Sequence, residues 1–189
     1  MDARRAVVRR AEVSLFDVAW TWGTTPEERA RPYPCDRWVE GFTDAYYRGV
    51  TVNAEAAVVF RWLCQLKVAP YSYDWIDNWG RQSPRTLTPG VERLAVGDRF
   101  MIFTLVEFEQ DRHVTLRMAG SRVFPEIAVT YVIFPLSQEV TRLVMKIVAR
   151  YRDGVGATLQ RWLLPWGDLV MARRQLMGLR ALAEGSVRG

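Results

Sequence analysis

Histidine, cysteine and lysine are close to missing from this chain, and each scarcity removes a class of chemistry. The single histidine, His113, excludes a site with several imidazole ligands, and any histidine-activated nucleophile would have to use that one residue. The two cysteines, Cys35 and Cys64, lie in no C-x-x-C pattern. Cys64 sits in an apolar helical run where a small hydrophobe fits, so no disulfide framework is expected. Carboxylates alone remain as metal ligands, and Asp74 and Asp77 with Asn78 lack the loop spacing of a calcium site. No metal and no cofactor is therefore expected. Long apolar runs are also missing: nothing approaches the ~20 residues needed to span a bilayer. The opening Met1-Asp-Ala-Arg-Arg-Ala-Val-Val-Arg-Arg10 has charge but no apolar signal core. The expectation is a soluble, cytoplasmic protein with no transmembrane segment.

What is present suffices for one substantial core. The 189 residues are 49% hydrophobic and 12% aromatic, and a chain of this size buries roughly 70% of its unfolded surface. The net charge of +5 rests almost wholly on arginine, because Lys67 and Lys146 are the only lysines. The arginines alternate with Asp and Glu along the chain, except for Arg4, Arg5, Arg9 and Arg10. No basic and aromatic recognition motif accompanies that amino-terminal patch, so neither nucleic acid nor an anionic membrane surface is expected as a main partner. The patch reads as a solvated tail.

Residues 14–45 are broken by Pro26, Pro32 and Pro34, with Trp20, Trp22 and Trp38 at no regular period. They predict a segment that wraps a domain, its tryptophans anchored on the domain surface or across a pocket mouth. Within it, Thr25-Pro-Glu-Glu28 is a capping box that predicts a short helix ending near Pro32. The chain thus divides into an arm and wrapping extension over 1–45 and a folded domain over 46–189.

Tyr46–Val52 is rich in β-formers and leads into a helix over 54–67, with Asn53 expected as its cap. Val59, Trp62, Leu63 and Leu66 form its apolar face, leaving Arg61 and Gln65 to solvent. In the segment from Ala69 to Gly80 four aromatics fall within nine residues. Ser72 is placed to cap a short helix closed by Gly80. Trp75 and Trp79 share a face there, and the Tyr71 and Tyr73 hydroxyls offer directional hydrogen bonds. Core aromatics and a pocket floor are both compatible with this composition.

Turns are expected at Leu87–Val91, a Pro-Gly pair suited to type II, and at Val96–Asp98. Beyond them the period changes to two. Arg99–Phe108, His113–Met118, Ile127–Phe134 and Thr141–Tyr151 read as a meander of strands. Alternation places Val114, Leu116 and Met118 inward and His113, Thr115 and Arg117 outward. It likewise buries Leu143, Met145 and Ile147 and turns Arg142, Lys146 and Arg150 to solvent. The strands around Phe103 and Tyr131 are apolar on both faces, which leaves their parity open and points to cover on both sides.

The run from Leu163 to Glu184 predicts a long amphipathic helix entered at Pro165. At about 100° per residue, Leu169, Met171, Ala172, Leu176, Leu179, Leu182 and Ala183 fall on one arc and Arg173, Arg180 and Glu184 on the other side. Asp168 and Gln175 sit within the apolar arc, about 20° and about 10 Å apart. Local backbone bonds would satisfy them in a purely structural helix, and Asp168 could cap the turn after Gly167.

Strand, two helices, meander and long final helix is an order in which a bent sheet wraps the last helix, an α+β arrangement. Residues from about Tyr46 to Glu184 resemble the START-like (SRPBCC, helix-grip) superfamily, which includes polyketide cyclase-like and lipid-transfer proteins. The likeness is carried by Val52-Asn-Ala and the Phe60–Leu66 helix, by Tyr71–Asn78, by Leu94-Ala-Val-Gly-Asp98, and by the Met171–Glu184 ending. It implies a curved antiparallel sheet around a long carboxy-terminal helix, two short helices near the start of the domain, and a hydrophobic cavity between sheet and helix. Tyr71, Tyr73, Trp75, Leu116, Met145, Met171, Gln175 and Leu179 occupy faces this fold brings together, with Asp168 and Gln175 at the polar end. Fold does not fix activity. Three functions remain open: a binder or carrier of a hydrophobic, lipid- or polyketide-like molecule; a cyclase or dehydratase using Tyr71, Tyr73 or Asp168 as acid or base and an inward arginine; and a protein-interaction module.

Overall fold

Period-two alternation produces one six-stranded antiparallel sheet in the order β1-β6-β5-β4-β3-β2. A computed structural model describes residues 15–71, 82–121, 124–151 and 155–188. The strands are β1 (Asp44–Val52), β2 (Arg99–Phe100), β3 (Phe103–Glu109), β4 (His113–Met118), β5 (Glu126–Pro135) and β6 (Thr141–Arg150). The helices are α1 (Leu15–Thr21), α2 (Pro26–Arg29), α3 (Ala56–Cys64) and α4 (Val155–Arg188), with single 3-10 turns at Pro34–Arg37 and Gln65–Lys67. The helix expected around Trp75 and Trp79 lies outside the described residues.

The concave face of the sheet is the core. Tyr46, Val50 and Val52 of β1, Leu143, Met145 and Ile147 of β6, Val129 and Tyr131 of β5, and Val114 and Leu116 of β4 are buried there. Against them pack α3 through Val59, Phe60, Trp62 and Leu63 and α4 through Ala172, Leu176, Leu179 and Ala183. This settles the parity of β5: Ile127, Val129, Tyr131 and Ile133 face inward, and Ala128, Val132 and Phe134 outward.

The convex face is also covered. Tyr33, Cys35, Val39, Trp38 and Phe42 of the wrapping extension pack on Ala128, Val144 and Val148. Cys35 N–H donates to Thr130 Oγ1 at 2.8 Å, and Thr130 in turn bonds Thr115. The outward residues of β4 and β6 are therefore not all wet. Thr115 is fully buried, His113 is largely covered beside Glu107, and Lys146 is buried with its ammonium 2.6 Å from Asp36. Alternation had their direction right, but a second layer removed the water. Arg142 and Arg150 do face outward, Arg142 gripping Glu28 of α2. The α2 capping box forms as expected, Thr25 Oγ1 accepting from Glu28 N–H and Glu28 from Thr25 N–H. A glycine pair lets the extension touch β1: Gly49 N–H donates to Trp22 O, and a Cβ on Gly23, which has φ of +72°, would stand 2.3 Å from Gly49 O.

Four other local expectations are corrected. Helix α3 starts after Glu55, and Asn53 instead donates from its amide and side chain to Glu184 Oε1 at 3.0 Å. Gln65 is buried rather than solvated, because its amide donates to Thr88 Oγ1 and accepts from Thr88 N–H, clamping the turn of Thr88–Val91. Gly90 in that turn has φ of +77°, as type II requires. Arg99–Phe108 is two strands, because Met101 with φ of +54° and Ile102 make a two-residue hairpin without the Gly or Asn that usually marks one. Finally, α4 begins ten residues before Pro165, which lies inside the helix. A proline there lacks the amide that would bond the carbonyl four residues back.

Candidate functional site

The concave face carries polar groups where a purely structural core would have aliphatic side chains. On β1, alternation turns Tyr46, Arg48, Val50 and Val52 the same way, which puts an arginine under α4. Arg48 is wholly buried. Its Nη2 donates to Asp168 Oδ2 at 2.8 Å, to Ala19 O at 2.8 Å and to Pro165 O at 3.3 Å, and its Nη1 to Tyr47 O. One guanidinium thus ties α1, β1 and α4 together. Its Nε is buried with no partner among the described residues. Burial lowers the Arg48 pKa against the pull of Asp168. Burial likewise pushes the Asp168 carboxyl up to about 6, although Arg48 opposes this. Both shifts have one cause: desolvation outweighs the attraction between the partners.

Nearby, the Tyr46 and Tyr151 hydroxyls share a hydrogen bond of 2.8 Å, and burial raises the pKa of both phenols. Seven residues along α4, Gln175 Oε1 accepts from Tyr131 OH at 2.7 Å while its amide donates to Pro70 O at 2.7 Å. Gln175 therefore joins the centre of the sheet to the segment that follows α3. Tyr71, next in that segment, has φ of +55°, packs edge-on against Trp62 and donates from its hydroxyl to Pro84 O at 2.7 Å. Gly178 gives the Tyr71 carbonyl room, since a Cβ there would come within 3.3 Å of it.

Of the residues expected to form a site, Tyr71, Leu116, Met145 and Leu179 are buried in one cluster, with Gln175 bonded to that cluster through Tyr131. Asp168 lies one helical repeat away against Arg48. It lies inside α4 and caps nothing. Met171 does not join them: it is 38% exposed, because it lies one 100° step from Ala172, at the flank of the buried arc. Tyr73 and Trp75 lie outside the described residues.

Arg48, Tyr46, Tyr131 and Tyr151 were missed as members of this group. Arg48 was recoverable by applying to β1 the alternation used on β4 and β6. Tyr131 was not, because β5 is apolar on both sides.

A separate cleft of about 400 Å³ opens at the end of the sheet, lined by Gly120, Phe124, Glu126, Arg150 and Tyr151. It shares no residue with the expected set. Glu126 is pinned there by Arg117 at 2.5 Å and by Arg150, which hold its carboxyl below the usual range despite burial. Among the described residues no group of three or more His, Cys, Asp or Glu is arranged to hold a metal ion. No described helix is long and apolar enough to cross a membrane.

A curved antiparallel sheet closed by a long carboxy-terminal helix is the helix-grip fold, of the α+β class. The chain is similar to the Zhui aromatase/cyclase from Streptomyces sp. R1128, with 17% identity over 77% of this chain and 96% of that one and a TM-score of 0.51. It is similar also to the hypothetical protein jhp0584 from Helicobacter pylori, with 16% identity, 82% and 96% coverage, and a TM-score of 0.52. At these identities the likeness establishes a shared fold alone, the helix-grip fold expected from the sequence. No family model matches the chain, and no curated protein matches it.

Proposed function

We propose that the protein binds a hydrophobic small molecule between the concave face of the sheet and α4, with Tyr71, Tyr73, Trp75, Leu116, Met145 and Leu179 as walls and Asp168 and Gln175 as the polar end. One observation carries this reading: three hydrogen-bonded polar pairs, Arg48 with Asp168, Tyr131 with Gln175 and Tyr46 with Tyr151, stand in a largely apolar face beneath a helix. A pocket that is mostly apolar with a few convergent polar groups suits a ligand of the same make-up. Met171 belongs to the rim of such a site. Mass spectrometry of the purified protein under native conditions, followed by extraction in organic solvent, tests the reading. A small molecule at near one equivalent is expected. Absence of any adduct, together with no thermal shift from a panel of polycyclic and acyl ligands, counts against it.

A cyclase-like enzyme is the second reading, favoured by the Asp168 carboxyl, which titrates near 6 beside a buried guanidinium. A carboxylic acid with a pKa near the working pH is suited to proton transfer, and an arginine beside it to holding an enolate. Tyr71 is the weaker candidate acid, since its hydroxyl is committed to Pro84 O. Product analysis with poly-β-ketone mimics, comparing the wild type with Asp168→Asn, separates the two readings.

A further inference from the structure

Helix α4 is apolar on two separate faces. Ala172, Leu176, Leu179 and Ala183 meet the core, yet Leu159, Trp162, Leu163, Trp166, Val170 and Met177 are 38% to 62% exposed. At about 100° per residue these six fall within about 100° of arc, centred about 130° around the helix from the buried side, in a stripe about 27 Å long. Scattered exposed hydrophobes are ordinary, but a continuous stripe with two tryptophans marks an interaction surface.

The charges around the stripe indicate its partner. From 159 to 183 the only carboxylate is Asp168, turned inward onto Arg48. Arg173 and Arg174 are exposed, Arg173 within the arc of the stripe and over the ring of Trp22, Arg174 at its edge. A second copy of the chain would bring further arginines, while the other carboxylate of α4, Glu184, is bonded to Asn53 and Arg180. An anionic lipid surface supplies both an apolar layer for the stripe and counter-charge for the arginines, and tryptophan favours that boundary. The amino-terminal end of the stripe adjoins the cleft: Arg161 lies over the ring of Tyr151, which lines the cleft with the exposed Phe124.

We propose that the outward face of α4, from Leu159 to Met177, docks the protein on anionic membrane surfaces, with the helix lying in the interfacial plane. This goes beyond the ligand-binding reading and stands without it. The test is co-sedimentation with vesicles of phosphatidylglycerol and phosphatidylcholine, against vesicles of phosphatidylcholine alone. The wild type is expected to bind the anionic vesicles. Leu163→Glu/Val170→Glu is expected to weaken binding at least tenfold with an unchanged melting temperature, since both side chains are exposed. Arg173→Gln/Arg174→Gln is expected to weaken it severalfold and to reduce its salt dependence. Undiminished binding by Leu163→Glu/Val170→Glu assigns the affinity to the Arg4–Arg10 arm and overturns the proposal. Failure of the wild type to bind overturns it equally, as does a dimer in light scattering that the same double variant dissolves.

Discussion

Arg48 on β1 and Asp168 on α4 form an ion pair at 2.8 Å with the arginine wholly buried. This pair, with the Arg48 bonds to Ala19 O and Pro165 O, joins the amino-terminal extension, the sheet and the last helix. Removing one partner leaves the other charge in the core, whereas removing both leaves only volume to fill. Arg48→Met leaves Ala19 O, Pro165 O and the Asp168 carboxyl without their donor, and is expected to cost about 3 kcal/mol in urea unfolding. Arg48→Met/Asp168→Leu is expected to recover part of that loss. Equal stability of Arg48→Met and the wild type would show that the buried guanidinium contributes no net stabilisation.

The same carboxyl gives a pH signature. Its folded pKa of about 6 lies above the value near 3.9 of an unfolded aspartate. Between those values the folded state holds a proton that the unfolded state has released. Stability from this group is full below about pH 4 and declines as pH rises to about 6, by at most roughly 3 kcal/mol. Glu28, Glu107 and Glu126, held below the usual range by arginine and other hydrogen-bond partners, act in the opposite direction and lose stability as pH falls. The contribution of Asp168 is therefore read as the wild type minus Asp168→Asn across pH 4 to 7. A difference that is flat with pH would refute the raised pKa.

On the opposite face, Lys146 holds the extension. Its ammonium is 2.6 Å from Asp36 and lies over the rings of Tyr33, Phe42 and Tyr47 at 5.3, 5.6 and 5.3 Å. Burial works against its charge, but Asp36 and Tyr47 more than offset this and raise its pKa. Lys146→Met keeps much of the volume and loses the ion pair and the cation–π contacts, for an expected cost of about 2 kcal/mol. Limited proteolysis should then cut within 25–43 several times faster than in the wild type. An unchanged cleavage rate would mean that the apolar contacts of Cys35, Val39 and Trp38 hold the extension alone.

These residues show what was legible in the sequence. Alternation located the later strands and the inward faces of β4 and β6, because period two is a local property of the chain. The capping box at Thr25 and the type II turn at Gly90 were legible for the same reason. Lys146 was misjudged as wet because its cover comes from Asp36, Cys35 and their neighbours, about a hundred residues away. Gln65 was misjudged because its partner Thr88 lies across a loop. The hairpin at Met101 carried no turn residue, so no local signal existed for it. For the candidate site, helical periodicity brought Gln175, Leu179 and Asp168 to the right side of α4 but placed Met171 too generously. Arg48 was overlooked, although its parity was available.

Both ends of the Gln175 side chain are occupied. Its carbonyl accepts from Tyr131 OH and its amide donates to Pro70 O, each at 2.7 Å. Gln175→Leu is nearly volume-conserving but leaves a buried phenol and a carbonyl unpaired, at an expected cost of about 1–3 kcal/mol. Tyr131→Phe in the same chain removes the orphaned hydroxyl, so Tyr131→Phe/Gln175→Leu should regain about half of that loss, the Pro70 carbonyl remaining unpaired. Stability alone does not distinguish a structural clamp from the polar end of a ligand site, but affinity does. If Gln175 contacts the ligand, the double variant should bind an extracted or screened ligand at least tenfold more weakly while melting above Gln175→Leu. Retained affinity in the double variant would confine Gln175 to holding the Pro70 segment against the sheet.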